Sequence, residues 1–263
     1  MPGEQVNPTM IAAVVSGLLF IAMLVFIDIG FRIGKNRKKN TPETGDEGAG
    51  TVDAAVFGLL GLILAFTFSG ASSRLDMRRA QIVQEANAIG TAYLRVDLLA
   101  SSEQPEIRKL FKNYLESRIE VYEKMPDASA ARGALAKGSD LQNQIWSKSV
   151  AACQIDPTPR TCGLVLPSLN DMIDITTTRT MATVQHAPAV ILGLMVLLSL
   201  LGALLAGFAM SPQSKRSALH TILFALAISV SVYVVLDLEY PRAGLINLKD
   251  MDQAIVQLRE QIK

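Results

Sequence analysis

The chain has 263 residues, with 25 Lys plus Arg against 24 Asp plus Glu, and this near-neutral balance singles out no partner by bulk electrostatics. Half of the residues are apolar but only 6% are aromatic, and the apolar ones gather in four long blocks instead of recurring at helix or strand spacing. That concentration excludes a simple soluble enzyme, a collagen-like chain and a disordered tail protein, and it points to a membrane protein whose solvent is the lipid bilayer.

The blocks cover residues 10–30, 52–70, 187–210 and 218–236, with 21, 19, 24 and 19 residues. Each is long enough to cross a hydrocarbon core about 30 Å thick as a helix. The first is too long and too poorly ended for a cleavable signal, so it reads as a retained span. Arg32, Lys35, Arg37, Lys38 and Lys39 follow it, whereas no Lys or Arg precedes it. By the positive-inside rule this loop is cytoplasmic, and Lys215 and Arg216 between the last two spans fall on the same side. Arg74, Arg78, Arg79, Arg179, Arg242 and Lys249 oppose this count from the other side, so the orientation rests on the first helix. It places both termini and residues 71–186 outside, on the periplasmic side.

The expected organisation is residues 1–70 as the first two spans, with a cytoplasmic loop at 32–51; 71–186 as an extramembrane bundle; 187–236 as the last two spans; and 237–263 as an amphipathic tail. The linker 40–50, rich in Gly, Thr and acidic residues, reads as mobile. Beyond the second span Ile82, Ala86, Ile89, Tyr93 and Val96 recur at spacings of four and three, so that helix continues outward, to about 70 Å at 1.5 Å per residue. A new helix is expected from Ser101 or Ser102, burying Ile107, Leu110, Phe111, Tyr114 and Leu115. Residues 128–138 carry no clear signal. A third helix is expected from Ser139 to the Pro157 and Pro159 loop, and a fourth from near Pro167. In the tail, Leu248, Met251, Ile255, Leu258 and Ile262 form a short stripe that suits a helix docked on its own bundle. The fold class is thus all-α, four transmembrane helices with an extramembrane helical bundle between the second and third.

The two cysteines, Cys153 and Cys162, bracket a Pro-rich loop in the large extramembrane segment. A disulfide there suits an oxidising compartment, the alternative being two unrelated buried thiols. No His lies near enough to complete a zinc site.

Catalytic constellations are absent: no nucleophile elbow, phosphate loop, metalloprotease motif or dinucleotide fingerprint occurs. His186 and His220 sit at the margins of apolar blocks, and the run Thr176, Thr177, Thr178 reads as helix-surface polarity. Residues 71–186 carry 14 cations against 13 anions, which gives nucleic acid no basic face. No catalytic residue, cofactor or metal site is expected.

The informative chemistry lies at the span ends. Arg74, Arg78 and Arg79 follow the second span, and Asp237 and Glu239 end the fourth. They read either as ion pairs that anchor the helices at the membrane surface or as a charged vestibule that attracts anions in an oligomer. Within the second span Gly58, Gly61, Thr67, Ser69, Gly70 and Ala71 form a small or hydroxylated side, suited to close helix contact. The alternative is a pore lined by Thr67 and Ser69 with Phe66 or Phe68 as its constriction. Asp28, near the inner end of the first span, is within reach of Lys35 or the headgroups, or marks an ion path.

The run AFTFSGASSRLDMRRAQIVQEANAIGTAYLRVDLL, residues 65–99, resembles the signature of the bestrophin-like domain family of bacterial membrane proteins. LPSLNDMIDITTTR, residues 166–179, and LDLEYPRAGLINL, residues 236–248, are similar to its general pattern. The resemblance implies four spans with a helical insertion, and supplies no reaction, cofactor or residue role. The family name suggests bestrophins, which are pentameric anion channels and keep the corresponding segment in the cytosol. This chain lacks an evident acidic calcium clasp, and its orientation reads the opposite way. The expected function is a homo-oligomeric, channel-like membrane protein conducting an inorganic ion such as an anion. The alternative is a non-conducting sensor or scaffold whose bundle binds an envelope protein partner.

Overall fold

The computed structural model describes residues 8–40, 49–125, 127–155, 159–211, 217–242 and 244–262. Most of the 40–50 linker, Lys215, Arg216 and Pro157 lie outside the described residues. Eight α-helices occur among those described: α1 (Pro8–Asn40), α2 (Ala49–Arg95), α3 (Gln104–Lys124), α4 (Ala128–Ile155), α5 (Pro159–Val184), α6 (Ala189–Ala209), α7 (Ala218–Glu239) and α8 (Lys249–Gln261), with a 3-10 turn at Val96–Leu98. No strand occurs among the described residues, and four helical stretches are long and apolar enough to cross a membrane. The fold is all-α, with four transmembrane helices and a helical bundle inserted between the second and third.

The chain divides into two compact units. One combines Val6–Arg74 with His186–Leu245 and holds α1, the first half of α2, α6 and α7. Its core is Leu19, Met23, Ile27, Met195, Ala203, Ala225 and Val232. In lipid, apolar side chains alone give helices little reason to associate, so close backbone approach matters. Here α1 and α6 meet through glycines. A Cβ on Gly30 would overlap the Leu204 carbonyl, and one on Gly207 would overlap the Ile27 carbonyl. The first half of α2 packs on this core through Phe57 and Leu60 at Gly202, and Phe57 meets Phe224 edge-on with ring centroids 6.0 Å apart.

The other unit combines Leu75–Gln185 with Ile246–Lys263. It buries Ile82, Ile89, Ile107, Phe111, Tyr114, Leu115, Ile145, Leu169 and Met172. Tyr93 and Phe111 join α2 and α3 edge-on, 5.8 Å between centroids. The third helix differs from its expected start at Ser139, because α4 begins at Ala128. Asp127 supplies the missing signal: its Oδ1 accepts the backbone N–H groups of Ser129 at 2.9 Å and Ala130 at 3.1 Å, an N-cap. These bonds hold the Asp127 carboxyl below the usual range. Gly138 sits against Ser117, so the small residues that blurred the pattern are the ones that admit α3. The fourth helix also starts earlier, at Pro159, with Pro167 inside it. Proline is at home in a helix's first turn, whereas Pro167 costs α5 one backbone hydrogen bond. Arg95 Nη1 donates to the Leu164 carbonyl in the turn before Pro167, at 2.7 Å. In the tail Leu248, Ile255 and Ile262 are buried, and α8 lays Leu258 against Gly90.

Candidate functional site

Arg74, Arg78, Arg79, Asp237 and Glu239 each have a definite place. Arg74, in the last turn of α2 within the membrane unit, clasps Glu239 at the end of α7. Its Nε lies 3.1 and 3.3 Å from the two carboxylate oxygens, and Nη2 also donates to Oε1. Glu239 is only 2% exposed, so a nearby cation offsets much of the cost of burying it. His186 Nδ1 approaches the other carboxylate oxygen at 3.5 Å, and its ring lies 4.6 Å from that of Tyr240. Asp237 accepts the Leu245 N–H at 3.2 Å, and a Cβ on Gly244 would overlap its carboxylate. Arg74 and Glu239 are therefore brought together, while Asp237 holds the turn that follows α7.

Arg78, buried in the extramembrane unit, donates from Nε to the Ala182 carbonyl at 3.1 Å and from Nη2 to the Gln185 carbonyl at 2.7 Å. A cation placed on carbonyls at the end of α5 and just past it satisfies groups a helix end leaves open. Arg79 reaches Asp76, 3.4 Å away on the surface. Asp28 pairs with Arg32, one turn on, at 2.7 Å.

The four candidate pore-lining residues divide by face. Thr67 is buried and donates to the Ile63 carbonyl at 2.6 Å. Phe66, Phe68 and Ser69 are exposed. Gly58, Leu59, Leu62, Ala65 and Ser73 share the exposed side of this helix. Only 17% of the apolar span of α2 is buried, against 28% in each of the other three spans.

The most highly charged buried cluster was not legible as a site. Glu85 of α2, fully buried, accepts from Arg118 Nε at 2.5 Å and from Tyr122 O–H at 2.8 Å, both of α3, and from Arg179 Nη1 of α5. Arg179 lies over the Tyr122 ring, 4.1 Å from its centroid, and also reaches Asp252 of α8 at 3.6 Å. Burial, together with the adjacent Glu85 carboxylate, pushes the Tyr122 hydroxyl well above its usual range, so it stays protonated and donates. Two carboxylates thus face two guanidinium groups, and four helices are tied at one point. The signal in the sequence is phase: Glu85 falls on the same apolar stripe as Ile82 and Ile89.

A second polar chain crosses the bundle. Thr176 donates to the Met172 carbonyl at 2.9 Å, Tyr114 O–H donates to Thr176 at 2.9 Å, and Gln142 donates to both hydroxyl oxygens at 2.9 and 3.1 Å. Thr176 is therefore part of the interior, not of the surface polarity expected for the threonine run. Burial raises the Tyr114 pKa, which keeps this donor protonated too.

Cys153 and Cys162 are joined by a disulfide, with Cα atoms 5.8 Å apart, linking the end of α4 to the first turns of α5. Closing so short a loop stabilises by about 2 to 3 kcal/mol, mainly through the unfolded chain. Protein extracted from intact cells and alkylated without reduction is expected to carry no modified cysteine by mass spectrometry. Two modified thiols would remove the support for an oxidising compartment. Among the described residues no group of three or more His, Cys, Asp or Glu is placed to hold a metal.

No functionally curated protein matches this sequence. Two solved structures share the fold over 92% of this chain. One is a mutated bacterial bestrophin homologue from Klebsiella pneumoniae, with a TM-score of 0.65, 13% identity and 95% of its own chain covered. The other, described as a membrane protein with a leucine-to-alanine substitution, has a TM-score of 0.67, 13% identity and 98% coverage. Residues 11–251 match the bestrophin-like domain, and since that is nearly the whole chain, the protein belongs to the bestrophin-like family.

Proposed function

We propose that the chain assembles in a bacterial inner membrane as a homo-oligomer whose second spans surround an ion pathway, with the bundle in the periplasm. The observation that carries this reading is the sparse burial of the α2 span, whose exposed face mixes Gly58, Ser69 and Ser73 with Leu62 and Phe66. Small and hydroxylated residues are more useful against another helix or water than against lipid tails. The fold shared with a bestrophin homologue supports the same assembly, and anions are the permeant class by analogy with bestrophins. The disulfide supports the periplasmic side for the bundle.

A second reading, a non-conducting scaffold or sensor whose bundle binds an envelope protein, draws support from the Arg74–Glu239 pair. A ring of paired arginines adds little net field at a pore mouth. Purified protein in liposomes decides between the two. Chloride flux is expected, along with intersubunit crosslinking of Ser69→Cys. Absence of ion flux under varied voltage, pH and calcium, or a Ser69→Cys variant that never crosslinks within an intact oligomer, would leave the scaffold in its place.

A further inference from the structure

A strongly basic surface closes α1 in the membrane unit. The helix runs to Asn40, past the end of its apolar block at Gly30, and this extension carries Arg32, Lys35, Arg37, Lys38 and Lys39 with no acidic residue among them. Asp28, one turn before Arg32, pairs with it and offsets one of these charges. Arg37 turns to α6, its guanidinium 6.0 Å from the centroid of the Phe208 ring. Lys35 Nζ lies over the Phe31 ring, 4.7 Å from its centroid, a contact that does not neutralise its charge.

Phase joins this charge to the apolar surface of the same helix. Residues three or four apart share a helix face, so Ile21, Val25, Ile29, Arg32, Lys35 and Lys39 fall on one stripe of α1. Ile21, Val25 and Ile29 are 59%, 50% and 41% exposed, and Lys35 is exposed too. The stripe therefore changes from apolar to cationic along its length, in the order in which acyl chain and headgroup follow each other in a phospholipid. At 1.5 Å per residue Arg32 and Lys35 stand about 3 and 8 Å past the apolar block, the depth of a headgroup layer about 5–8 Å thick. A zwitterionic headgroup brings its own cation to such a surface, whereas an anionic one brings only the phosphodiester charge that lysines attract. We propose that this face of α1 holds an anionic phospholipid, with an acyl chain along Ile21, Val25 and Ile29 and the phosphodiester drawn by the charges of Lys35 and Lys39. The surface is independent of whether the membrane unit conducts.

Native mass spectrometry of the detergent-purified full chain tests it, with phosphatidylglycerol and phosphatidylcholine of identical acyl chains supplied together in equal amounts. Phosphatidylglycerol is expected to be retained at least about fivefold over phosphatidylcholine. Lys35→Gln combined with Lys39→Gln is expected to lower that ratio by about fivefold or more, while Lys35→Arg combined with Lys39→Arg keeps it, because the attraction needs the charge and not the ammonium group. Lys109→Gln with Lys112→Gln removes two charges from exposed positions on α3 and is expected to leave the ratio unchanged. A large molar excess of inorganic phosphate is expected to leave the lipid bound, since free phosphate has no acyl chain to lay on the apolar half of the stripe. The two-lipid comparison needs only the wild-type chain, and the arginine pair reports whether substitution at these positions disturbs folding. Equal retention of the two lipids, a ratio unmoved by the glutamine pair on α1, an equal fall with the pair on α3, or displacement by inorganic phosphate would overturn the proposal.

Discussion

Glu85→Ala is expected to destabilise the extramembrane bundle by about 3–5 kcal/mol. The substitution leaves Arg118, 2% exposed, and Arg179, 7% exposed, without the buried carboxylate that balances them. It also strips Tyr122 of its acceptor, and burial makes each orphaned polar group costly. Against a typical domain stability of about 5–15 kcal/mol, this loss is a large fraction. Trp146, the single tryptophan, lies in α4 and so reports on this unit alone. Denaturation of detergent-purified protein followed by its fluorescence should show the midpoint fall steeply in Glu85→Ala. Replacing Arg118 and Arg179 by Met in the same background should restore part of the loss, because removing the unpaired charges removes their penalty. A midpoint unmoved by Glu85→Ala would mean that water, not the carboxylate, satisfies those guanidinium groups.

Gly207→Leu is expected to disrupt the membrane unit. Overpacking usually costs about 1–3 kcal/mol, and more where the neighbour cannot move. Here the first added carbon already overlaps the Ile27 carbonyl, which is helix backbone and has no rotamer to yield, so α1 and α6 must separate. Gly193→Leu on the same helix is the control, since a Cβ there meets nothing within 4 Å. Thermal scans with size-exclusion chromatography in detergent should show Gly207→Leu aggregated or markedly less stable, and Gly193→Leu close to wild type. Equal behaviour of the two would remove close α1–α6 approach as a determinant of the fold.

Both effects depend on residues whose importance the sequence conceals to different degrees. Gly30 and Gly207 are visible as small residues in apolar runs, but nothing in the runs says which of several glycines meets another backbone. Gly193 and Gly207 are the same residue type on the same helix, and they differ only in what stands opposite. A lone carboxylate such as Glu85 on an apolar stripe reads as a surface interruption until Arg118 and Arg179, 33 and 94 positions away, are seen to converge on it. The starts of α4 and α5 were obscured for local reasons. An Ala- and Gly-rich first turn has no periodic stripe, and a proline inside α5 carries the same letter as one that opens a helix.

The four spans are legible from composition alone, because lipid cannot hydrogen-bond the backbone and an uncharged run of some twenty residues has the helix as its remaining solution. The outward continuation of α2 and the docked tail are equally legible through their three-and-four spacing, and Cys153 and Cys162 stand out as a candidate pair through their isolation. Which partner each arginine takes depends on how the chain packs. Arg74 and Arg78 sit one turn apart on one helix with the same chemistry, yet one meets the Glu239 carboxylate and the other the carbonyls of Ala182 and Gln185. Charge and hydrogen-bonding capacity are written in the residue, but the acceptor is chosen by packing among distant segments, where the cost of burying a charge alone enforces the match.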